Sequence, residues 1–547
     1  MNQTRTFLLA AWLMVAFLLW REWGTPPQET AAAAVPAATA TGALAAVPAI
    51  PAATPAASAP AAAASVAVPA PVSVQLRNDV LALVLDGRAV THAELLKYPQ
   101  SRAPGSPPVV LFDADPTRFF AAEALWRDAQ GRELAWQPQG AARAFTLAAG
   151  QPRVQAVFEA TAASGLRVQR TFTLARGSYA LQVRDEVVNA GSSPWSGDID
   201  RRLERVPPVV KSGFTNPESF SLNGAAWYSP QDKYKKRKYP DFTKDGPLNL
   251  QVTGGWVALS QHYFLAAWVP QPDQPALYTL GEKGALYSIS ARGPAITLAP
   301  GQRFESDATL WVGPKLADKL DATAPGLGLA MDYGIFTVLS KPIHWLLTQL
   351  HKLTHNWGWA IVLLVVLIKL VLYPLSAAQY RSMAKMRKFQ PRIEQLKERY
   401  GDDKQKFQMA MLDLYKKEKI NPAGGCLPVL IQMPVFLALY YVLLEAVELR
   451  QAPWIVGWVN DLTARDPYFI LPLLNAAIMF LTQRMTPMVG MDPMQKKMMQ
   501  LMPLVMAVMF AFFPAGLVLY WVTNGALGML QQWWNTKRFA EAPAKAA

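Results

Sequence analysis

The sequence predicts a multi-domain membrane protein with an antiparallel β-sandwich or super-sandwich, an α-helical transmembrane bundle and a cytoplasmic helical hairpin. Three observations support this prediction. The 547 residues are 52% apolar and only 17% charged, which is unusual for a wholly soluble chain of this length. Short alternating runs fill residues 72–325, and five long apolar segments follow residue 356. We therefore expect six membrane spans in total, five of them in the bundle.

Composition limits the chemistry that the chain can perform. A single cysteine, Cys426, excludes a disulfide framework and a cysteine-based zinc site, and five histidines leave little for other metals. The sequence contains neither a Gly-rich phosphate loop nor a nucleophile–base constellation. We therefore expect no cofactor, no metal and no enzymatic activity.

The N-terminal segment predicts an anchor followed by a tether. An apolar run of 14 residues begins at Phe7 and has an arginine on each side, which suits either a cleaved signal peptide or a short membrane anchor. Small-residue cleavage sites begin only at Ala31, so we favour an uncleaved anchor over residues 1–25 with a cytoplasmic N-terminus. Residues 26–71 are almost entirely Ala, Pro, Thr, Val and Ser, which predicts a disordered tether.

Residues 72–325 predict the β domain. Apolar and polar residues alternate in short runs such as Val80 to Leu85 and Tyr179 to Val187, with Gly, Pro, Asn or Asp between runs. The domain follows the first membrane segment, so we place it outside the cytoplasm. It contains a basic cluster from Lys233 to Lys238, which we interpret as a solvated loop in preference to a nucleic-acid site.

Residues 326–356 predict an amphipathic helix at the membrane surface. Apolar residues from Ile335 to Leu353 recur near helical spacing, and Lys341 and His344 fall between them. Such a helix would lie along the surface and lead the chain into the bundle.

The bundle is predicted over residues 357–535, with a cytoplasmic tail over 536–547. Its predicted spans are Trp357 to Tyr373, Cys426 to Leu444, Tyr468 to Thr482, Met498 to Phe513, and Ala515 to Leu530. The loop after the first of these holds 12 basic and six acidic residues, whereas residues 449–467 hold only two basic residues. The positive-inside rule then places the first loop and both chain termini in the cytoplasm. Several spans would reach only about 21 to 26 Å, so we expect a locally thinned bilayer.

Polar residues inside the predicted spans are concentrated toward the cytoplasmic side. Those in the cytoplasmic half are Lys369, Gln432, Thr482, Gln483, Gln500, Gln531 and Gln532, and those near the middle are Asn475, Thr523 and Asn524. Because unpaired polar groups are costly in hydrocarbon, this asymmetry predicts a wet groove that enters from the cytoplasm and stops partway across.

Lys369 is the only basic residue well inside a predicted span, and two interpretations compete for it. It lies four residues before Tyr373, so its ammonium group could simply reach the headgroups. Polar residues at similar depth on other helices favour a second interpretation, in which the ammonium faces a wet interior without a carboxylate at its depth. We therefore predict that Lys369 attracts an anionic segment of a client.

The loop over residues 376–424 predicts two helices that form a hairpin around Gly401-Asp402-Asp403. Such a hairpin is usually a solvated coiled coil, but its base joins the helices that carry Lys369 and Gln432. It is therefore a candidate receiver for a partner. Methionines are also dense in the membrane half; core packing explains most of them, and a flexible surface for hydrophobic clients is the alternative.

Three motifs resemble the YidC family of membrane protein insertases. They are Tyr373-Pro-Leu-Ser-Ala-Ala-Gln-Tyr-Arg-Ser-Met-Ala-Lys-Met, Asn421-Pro-Ala-Gly-Gly-Cys-Leu-Pro-Val-Leu-Ile-Gln-Met-Pro-Val-Phe, and Asp492-Pro-Met-Gln through Phe513-Pro-Ala-Gly-Leu-Val-Leu-Tyr. With the anchor, tether and β domain, the resemblance covers nearly the whole chain. A large β domain between the first two spans is similar to the Gram-negative form, in which it is periplasmic.

The resemblance implies a protein that inserts, folds and assembles inner-membrane proteins, alone or beside the Sec translocon. The implied partners are nascent membrane proteins, the Sec translocon with its accessory subunits, the ribosome and the lipid bilayer, with no specific nucleic acid beyond ribosome contact. The predicted groove residues are Lys369, Gln432, Met433, Phe436, Asn475, Met509, Trp521, Thr523 and Asn524. The hairpin residues expected to meet clients or the ribosome are Arg381, Lys385, Arg387, Lys388 and Arg392.

Two positions depart from the family pattern. The groove charge in that family is commonly arginine, and Lys369 keeps the charge but lacks the planar fork that grips a carboxylate, so weaker capture is expected. Family members often carry a tyrosine pair in the last span, whereas this chain has Tyr520-Trp521 and therefore lacks one hydroxyl there.

Two other classes of function stay open. A secondary transporter or channel would normally show repeated helical units and ionisable relays, which the sequence lacks. A β domain that acts on carbohydrate would need carboxylates, or His92 and His262, to converge in a pocket. Solute flux in proteoliposomes and a glycan-binding screen would distinguish these alternatives.

Overall fold

The structure, a computed structural model, describes residues 72–210, 217–219, 221–400, 403–418, 423–486 and 493–540. The predicted anchor over residues 1–25 and tether over 26–71 lie outside the described residues, as does the end of the tail.

The β domain is a sandwich of two sheets whose strand pairs are antiparallel except for one parallel pair, which confirms the predicted sandwich. Its strands are β1 (Val74–Arg77), β2 (Leu81–Leu85), β3 (Ala89–Pro99), β4 (Pro108–Phe112), β5 (Phe120–Asp128), β6 (Trp136–Pro138), β7 (Ala144–Thr146), β8 (Arg153–Thr161), β9 (Leu166–Ala175), β10 (Ala180–Asn189), β11 (Trp195–Arg205), β12 (Gly224–Ser229), β13 (Lys233–Lys238), β14 (Asn249–Thr253), β15 (Trp256–Ser260), β16 (Phe264–Pro270), β17 (Pro275–Lys283), β18 (Leu286–Arg292), β19 (Ile296–Leu298) and β20 (Arg303–Pro314). One sheet has the order β14-β17-β18-β11-β5-β3-β2-β1-β7, with β19 paired to β11 and β4 paired to β3. The other has the order β13-β12-β15-β16-β20-β10-β9-β8-β6.

Alternation along the strands explains why these segments form a sandwich. In β8, every second residue from Val154 to Ala160 is buried or half-buried, and the residues between them face outward or are less buried. The inward faces of both sheets meet in one core, in which four tryptophans are almost fully enclosed. They are Trp126, Trp256, Trp268 and Trp311.

A buried ion pair ties the two sheets together. Arg170 on β9 donates two hydrogen bonds to Asp185 on β10, at 2.6 and 2.7 Å. The same guanidinium donates to the carbonyl oxygens of Gly87 and Ala124, and the Trp126 indole donates to Asp185 at 2.8 Å. Because each charged group has several hydrogen-bond partners, the pair can be buried without an unsatisfied charge.

Helices and short 3₁₀ turns occupy most of the remainder of the described chain. The helices are α1 (Ala317–Thr323), α2 (Thr337–Thr354), α3 (Trp357–Val371), α4 (Tyr373–Lys388), α5 (Gln390–Tyr400), α6 (Lys404–Lys417), α7 (Ala423–Glu445), α8 (Ile470–Met485), α9 (Pro493–Phe510) and α10 (Ala515–Ala540).

No single helix within the described ranges is both long and apolar enough to cross a membrane alone. Helix α3 and the first part of α4, Tyr373–Tyr380, meet this criterion only together, and a bend of 63° separates them. Gln432–Glu445 and Ile470–Met485 are shorter apolar helices. The count of six spans therefore stays a prediction.

Helix α2 connects the β domain to the bundle, and it buries polar side chains while it exposes apolar ones. It buries Ser340, His344 and Leu347, and the Ser340 hydroxyl donates to the Ala438 carbonyl of α7 at 3.1 Å. On its opposite side Val338 is 85% exposed. An outward face that is apolar suits a helix that lies against lipid.

The β domain packs on the C-terminal end of α7 through a buried charge cluster. The Lys315 ammonium donates to Glu445 Oε2 at 3.3 Å, and the Ser221 hydroxyl donates to Glu445 Oε1 at 2.5 Å. The Lys315 and Glu445 side chains are 0% and 2% exposed. His262 adds a third contact, since its Nε2–H donates to the Leu444 carbonyl at 2.9 Å. Burial lowers the pKa of His262 to about 4, so this imidazole is neutral at physiological pH.

Helices α5 and α6 occupy the segment predicted to form the cytoplasmic hairpin; the turn at Gly401-Asp402 lies outside the described residues, and the hairpin stays a prediction. Arg392 on α5 donates to Glu418, just after α6, at 2.6 Å. The other basic residues predicted for client or ribosome contact lie on α4; they are Arg381, Lys385, Arg387 and Lys388.

The interpretation of Lys233 to Lys238 as a loop is wrong, because these residues form the edge strand β13, paired with β12. Alternation explains the strand: Tyr234 turns inward onto Trp256, at a ring separation of 6.1 Å, while Lys233 and Lys235 stay exposed. An edge strand needs only one hydrogen-bonded neighbour and tolerates charge on its free side.

Candidate functional site

Helix α3 places Lys369 at a bend in the chain. The helix begins at Asn356, whose side-chain oxygen accepts from the Trp359 amide at 3.1 Å and whose Nδ2 donates to the Trp454 carbonyl at 3.0 Å. This N-cap fixes the start of the helix beside the segment that follows α7. Lys369 lies in the last turn, just before the chain bends into the basic helix α4. The charge therefore sits where an apolar helix gives way to a polar one.

The Lys369 side chain lies against helix α10 at Gly528. A Cβ atom at Gly528 would be 3.7 Å from Lys369 Nζ, an ordinary van der Waals separation, so the ammonium group lies directly beside this part of α10. Lys369 is half-buried, and within the described part of the chain it forms neither an ion pair nor a hydrogen bond. A half-buried ammonium without a partner has the capacity to bind an anion.

Two tyrosines of α4 hydrogen-bond to α10 beside Lys369. The Tyr380 hydroxyl donates to the Gly528 carbonyl at 3.1 Å, and the Tyr373 hydroxyl donates to Asn535 Oδ1 at 3.4 Å. The two tyrosines are seven residues apart, as are their two partners, so each pair lies on one face of its helix. Sequence reasoning did not include Gly528 or Asn535 in the site. The matching seven-residue spacing is the signal that could have found them.

Glutamines of α8 and α10 donate hydrogen bonds to neighbouring helices and loops at the same end of the bundle. Gln483 donates to the Met499 carbonyl, and Gln532 donates to the Thr486 hydroxyl at 3.2 Å. The Gln531 side-chain oxygen is buried, and among the described residues it has no hydrogen-bond partner. Such an acceptor can be satisfied by water or by a bound donor.

An aromatic cluster joins α7, α9 and α10. The Phe436 ring lies 4.7 Å from Trp521 and 5.7 Å from Tyr520, and Trp521 lies 5.4 Å from Phe510. Trp521 therefore contributes packing at a position where a tyrosine would add a hydroxyl. Met433, one helical turn before Phe436, is 50% exposed. Met433 therefore adds a flexible, exposed apolar side chain next to a packed aromatic cluster.

The remaining predicted groove residues lie at different positions in the bundle. The buried Asn475 amide donates to Met479 Sδ at 3.6 Å, within its own helix. The Thr523 hydroxyl donates to the Leu519 carbonyl at 2.8 Å, also within its own helix. Thr523 is half-buried, as are Gln432, Met509 and Asn524. The structure thus brings Lys369 to α10 and Phe436 to Trp521, and a groove shared by all nine residues stays a prediction.

The two histidines considered for carbohydrate chemistry have separate partners in the β domain. His92 lies 3.2 Å from Glu94 on its own strand, whereas His262 contacts the end of α7. Neither lines the groove of about 790 Å³ on the outer face of the β13-to-β6 sheet. Among the described residues, no group of three or more histidine, cysteine or acidic side chains is arranged to hold a metal ion.

Two family models together match nearly the whole of residues 73–542. One is described as the YidC periplasmic domain and matches residues 73–346, and the other is described as 60Kd inner membrane protein and matches residues 349–542. Membrane protein insertase YidC of Stenotrophomonas maltophilia (strain R551-3) is 54% identical over 566 residues, which cover 100% of this chain and 98% of that protein. The chain belongs to the YidC family of membrane protein insertases.

Membership of the YidC family fixes the cellular setting of the two halves. It makes the chain an inner-membrane protein with a periplasmic β domain. The insertase YidC of Xanthomonas euvesicatoria pv. vesicatoria (strain 85-10) is 52% identical and covers 100% of this chain and 99% of its own length. A crystal structure described as an active YidC insertase with the first transmembrane domain resolved aligns with 84% of this chain and 93% of its own, at 19% identity and a TM-score of 0.36.

Proposed function

We propose that this chain inserts proteins into the inner membrane through a half-depth hydrophilic groove that opens to the cytoplasm. We propose further that it folds and assembles its clients, independently or with the Sec translocon. The observation that carries the proposal is the half-buried ammonium of Lys369 beside α10, which has no partner among the residues that the structure describes. A fixed charge of this kind suits transient binding of an anionic segment that must later leave. The name shared by the relatives, membrane protein insertase, supports the same activity.

The proposed orientation puts Lys369 toward the cytoplasm, in a chain of six spans with both termini cytoplasmic. Its support is the contact between Asn356, at the start of α3, and Trp454, in the segment after α7. The start of α3 and the end of α7 therefore share one side of the bundle, and the β domain packs on that side through Glu445. Lys369 lies at the other end of α3, next to the basic helix α4, as the positive-inside rule requires.

In the proposed mechanism, Lys369 receives the short acidic tail of a client. The attraction between two unit charges 4 Å apart is about 1 kcal/mol in water and about 4 kcal/mol at the effective dielectric of a partly buried site. Tyr373 and Tyr380 hold α4 against α10, so the end of α3 that carries Lys369 is already in position when the tail arrives. A lysine provides no bidentate fork, so the tail is held briefly.

The apolar segment of the client then moves into lipid along Met433, Phe436 and Met509. Transfer of about 20 apolar residues at about 0.3 to 0.6 kcal/mol each supplies about 6 to 12 kcal/mol, so no nucleotide is needed. Helices α3 and α8 have 15 and 16 residues. At about 1.5 Å per residue they span about 22 to 24 Å, which thins the bilayer and shortens the step.

The helices after Lys369 are proposed to receive the client and the ribosome. Basic α4 follows Lys369 directly, and Arg392 braces α5 against the end of α6 through Glu418. This arrangement would place the basic residues of α4 next to the mouth of the groove, where a nascent chain with an acidic tail arrives. Ribosome and Sec contacts are proposed here on the family resemblance.

Charge reversal at Lys369 tests the proposal. Lys369→Glu should lower insertion of a client with an acidic tail at least tenfold in reconstituted proteoliposomes, because attraction becomes repulsion. Lys369→Arg is the matched control and should retain or raise insertion. Lys283→Glu makes the same charge change at the exposed end of β17 in the β domain, away from the groove and the hairpin, and should have little effect.

A second client that differs only in carrying a neutral tail separates capture from folding. It should depend much less on residue 369. Undiminished insertion of the acidic-tailed client by Lys369→Glu would contradict the capture role, as would an equal loss for both clients.

A further inference from the structure

Strand β13 carries a concentration of positive charge that the proposed insertion mechanism does not use. Two of its basic residues are engaged inside the protein: Lys236 forms an ion pair with Asp332 at 2.6 Å, and Arg237 donates to the Gly246 carbonyl at 2.7 Å. The other three are exposed and form no ion pair with the described residues. We call them the basic strip; they are Lys233, Lys235 and Lys238.

The basic strip lies at the end of the β domain that faces the bundle. Asp332, the partner of Lys236, is three residues before Ile335, which is 90% exposed at the start of the amphipathic segment. On the neighbouring strand β12, the Tyr228 ring packs against Gly326 of the same connecting segment. Ser221, three residues before β12, touches Glu445 at the end of α7. Both ends of the β12–β13 hairpin are therefore close to the membrane-proximal surface.

We propose that the basic strip binds the anionic headgroups of phospholipids in the periplasmic leaflet. The strip offers three ammonium groups to phosphodiester charges, and Ile335 and Val338 offer adjacent exposed apolar side chains to the acyl boundary. A cationic patch beside an apolar surface is the combination that holds a protein on an anionic bilayer. The strip would then hold the β domain at a fixed height above the bilayer.

The acidic residues around β13 do not neutralise the strip. Asp245 lies 3.7 Å from Arg237, and Asp241 lies 3.5 Å from Lys244, so both face other cations. Asp232 accepts a hydrogen bond from the Ser229 hydroxyl at 3.4 Å and directly precedes Lys233, so it offsets part of the charge at that end of the strand. Lys235 and Lys238 therefore keep uncompensated charges, one on each face of the edge strand.

Lysines on an edge strand also prevent association between sheets, and this is the competing explanation. The two explanations differ in what they predict. Protection of the edge against association requires only that the strand is charged, and it does not depend on the charge of the lipid. Headgroup binding requires a dependence on lipid charge and on salt.

The test uses the full chain in nanodiscs, with a fluorophore at Gln231→Cys in a Cys426→Ser background. Gln231 is exposed two residues before β13. Energy transfer to acceptor-labelled phosphatidylglycerol, compared with acceptor-labelled phosphatidylcholine, reports lipid preference near the strip. Lys235→Gln and Lys238→Gln should each lower the apparent affinity for phosphatidylglycerol about fivefold, and high salt should weaken the preference of the unsubstituted chain. Lys233 is left unchanged because its φ of 60° makes substitution a change of turn geometry as well.

The matched control removes two arginines from the far end of the same sheet. Arg167 and Arg303 are exposed and flank Val188 on β10. Strand β20 runs from Arg303 to Pro314, so Arg303 is about 40 Å from the bundle-facing Lys315. Arg167→Gln/Arg303→Gln should leave the lipid preference unchanged.

Three results would overturn the proposal: a preference that survives both lysine substitutions, an equal loss in the arginine control, or self-association of the lysine variant with its lipid preference intact. The last would establish edge protection. The salt titration uses the unsubstituted chain. If a lysine variant failed to fold, a lipid preference that high salt did not weaken would still refute the proposal.

Discussion

The buried pair Lys315–Glu445 should control how firmly the periplasmic domain stays on the bundle. Replacing Lys315 with Met keeps the length of the side chain and removes its charge. Glu445 then keeps only the hydrogen bond from Ser221, in surroundings where its side chain is 2% exposed. A carboxylate in this position must either bear an unpaired charge or take up a proton.

The expected cost follows from burial. Breaking a buried ion pair by removing one partner costs about 3 to 5 kcal/mol, whereas replacing both partners by apolar groups is often nearly neutral. Lys315→Met should therefore destabilise the docked arrangement by about 3 to 5 kcal/mol. The double variant Lys315→Met/Glu445→Leu should recover most of this, less about 1 kcal/mol for the Ser221 hydroxyl that loses its acceptor.

Hydrogen exchange of the full chain in detergent measures this opening locally. The backbone amide at position 315 donates to the Tyr263 carbonyl at 2.9 Å within the β domain, beside the Glu445 contact, so it exchanges only when the segment that carries Lys315 opens. A loss of 3 to 5 kcal/mol at about 1.4 kcal/mol per tenfold predicts exchange that is about 10² to 10³ times faster at this amide. The amides of β9 and β10, deep in the sandwich, should not change and serve as the internal control.

Two results would refute this reasoning. One is exchange at position 315 that is less than tenfold faster in Lys315→Met. The other is a double variant that exchanges as fast as the sum of the two single effects requires, because that would mean that the two side chains do not interact.

Three further predictions concern the periplasmic half. Burial raises the pKa of Glu448 to about 7, and His344 lies 3.8 Å away with a lowered pKa. Because the pKa of Glu448 is raised in the folded chain, its protonated form stabilises the fold fully below about pH 4.5, and this stabilisation is lost as pH rises through 7. Glu448→Gln should therefore raise the thermal midpoint, by an amount that grows between about pH 4.5 and 7 and levels off at higher pH. Arg170→Leu should cost the β domain about 3 to 5 kcal/mol in denaturant unfolding, because Asp185 would be left buried and charged. Gly87→Ala should lower its midpoint, since φ is 82° and the new Cβ would lie 2.6 Å from a tryptophan side chain.

Much of the fold could be predicted because it depends on local pattern. The alternation in β8 and β10 places one side of each strand in the core, and a sandwich is the stable way to bury two such faces. The amphipathic segment from Ile335 to Leu353 predicts the helix Thr337–Thr354 for the same reason. These elements require no knowledge of distant partners.

The basic strand β13 shows where local pattern fails. Six residues with four lysines and one arginine have low strand propensity and suggest solvent on all sides. Pairing with β12 and the inward turn of Tyr234 outweigh that preference, because the tertiary hydrogen bonds and one buried ring are available only in the folded sheet.

Contacts between distant residues also determine the candidate site. Lys369 and Gly528 are 159 positions apart, and a glycine inside an apolar helix carries no local sign that an ammonium group will pack beside it. The same holds for Lys315 and Glu445, which are 130 positions apart. From sequence, Glu445 is only an acidic residue at the end of a span.

The two ends of the bundle treat charge in opposite ways. At the end that meets the β domain, Glu445 is fully buried, and Lys315 and Ser221 satisfy it. At the other end, Lys369 is half-buried and has no partner among the described residues. Because an uncompensated buried charge costs several kcal/mol, a chain retains one only where water or a ligand supplies the missing partner. Lys369 is the candidate site because its charge has no partner among the described residues, whereas the charge of Glu445 is satisfied. The satisfied cluster at Glu445 is consistent with a groove that ends before the periplasmic side.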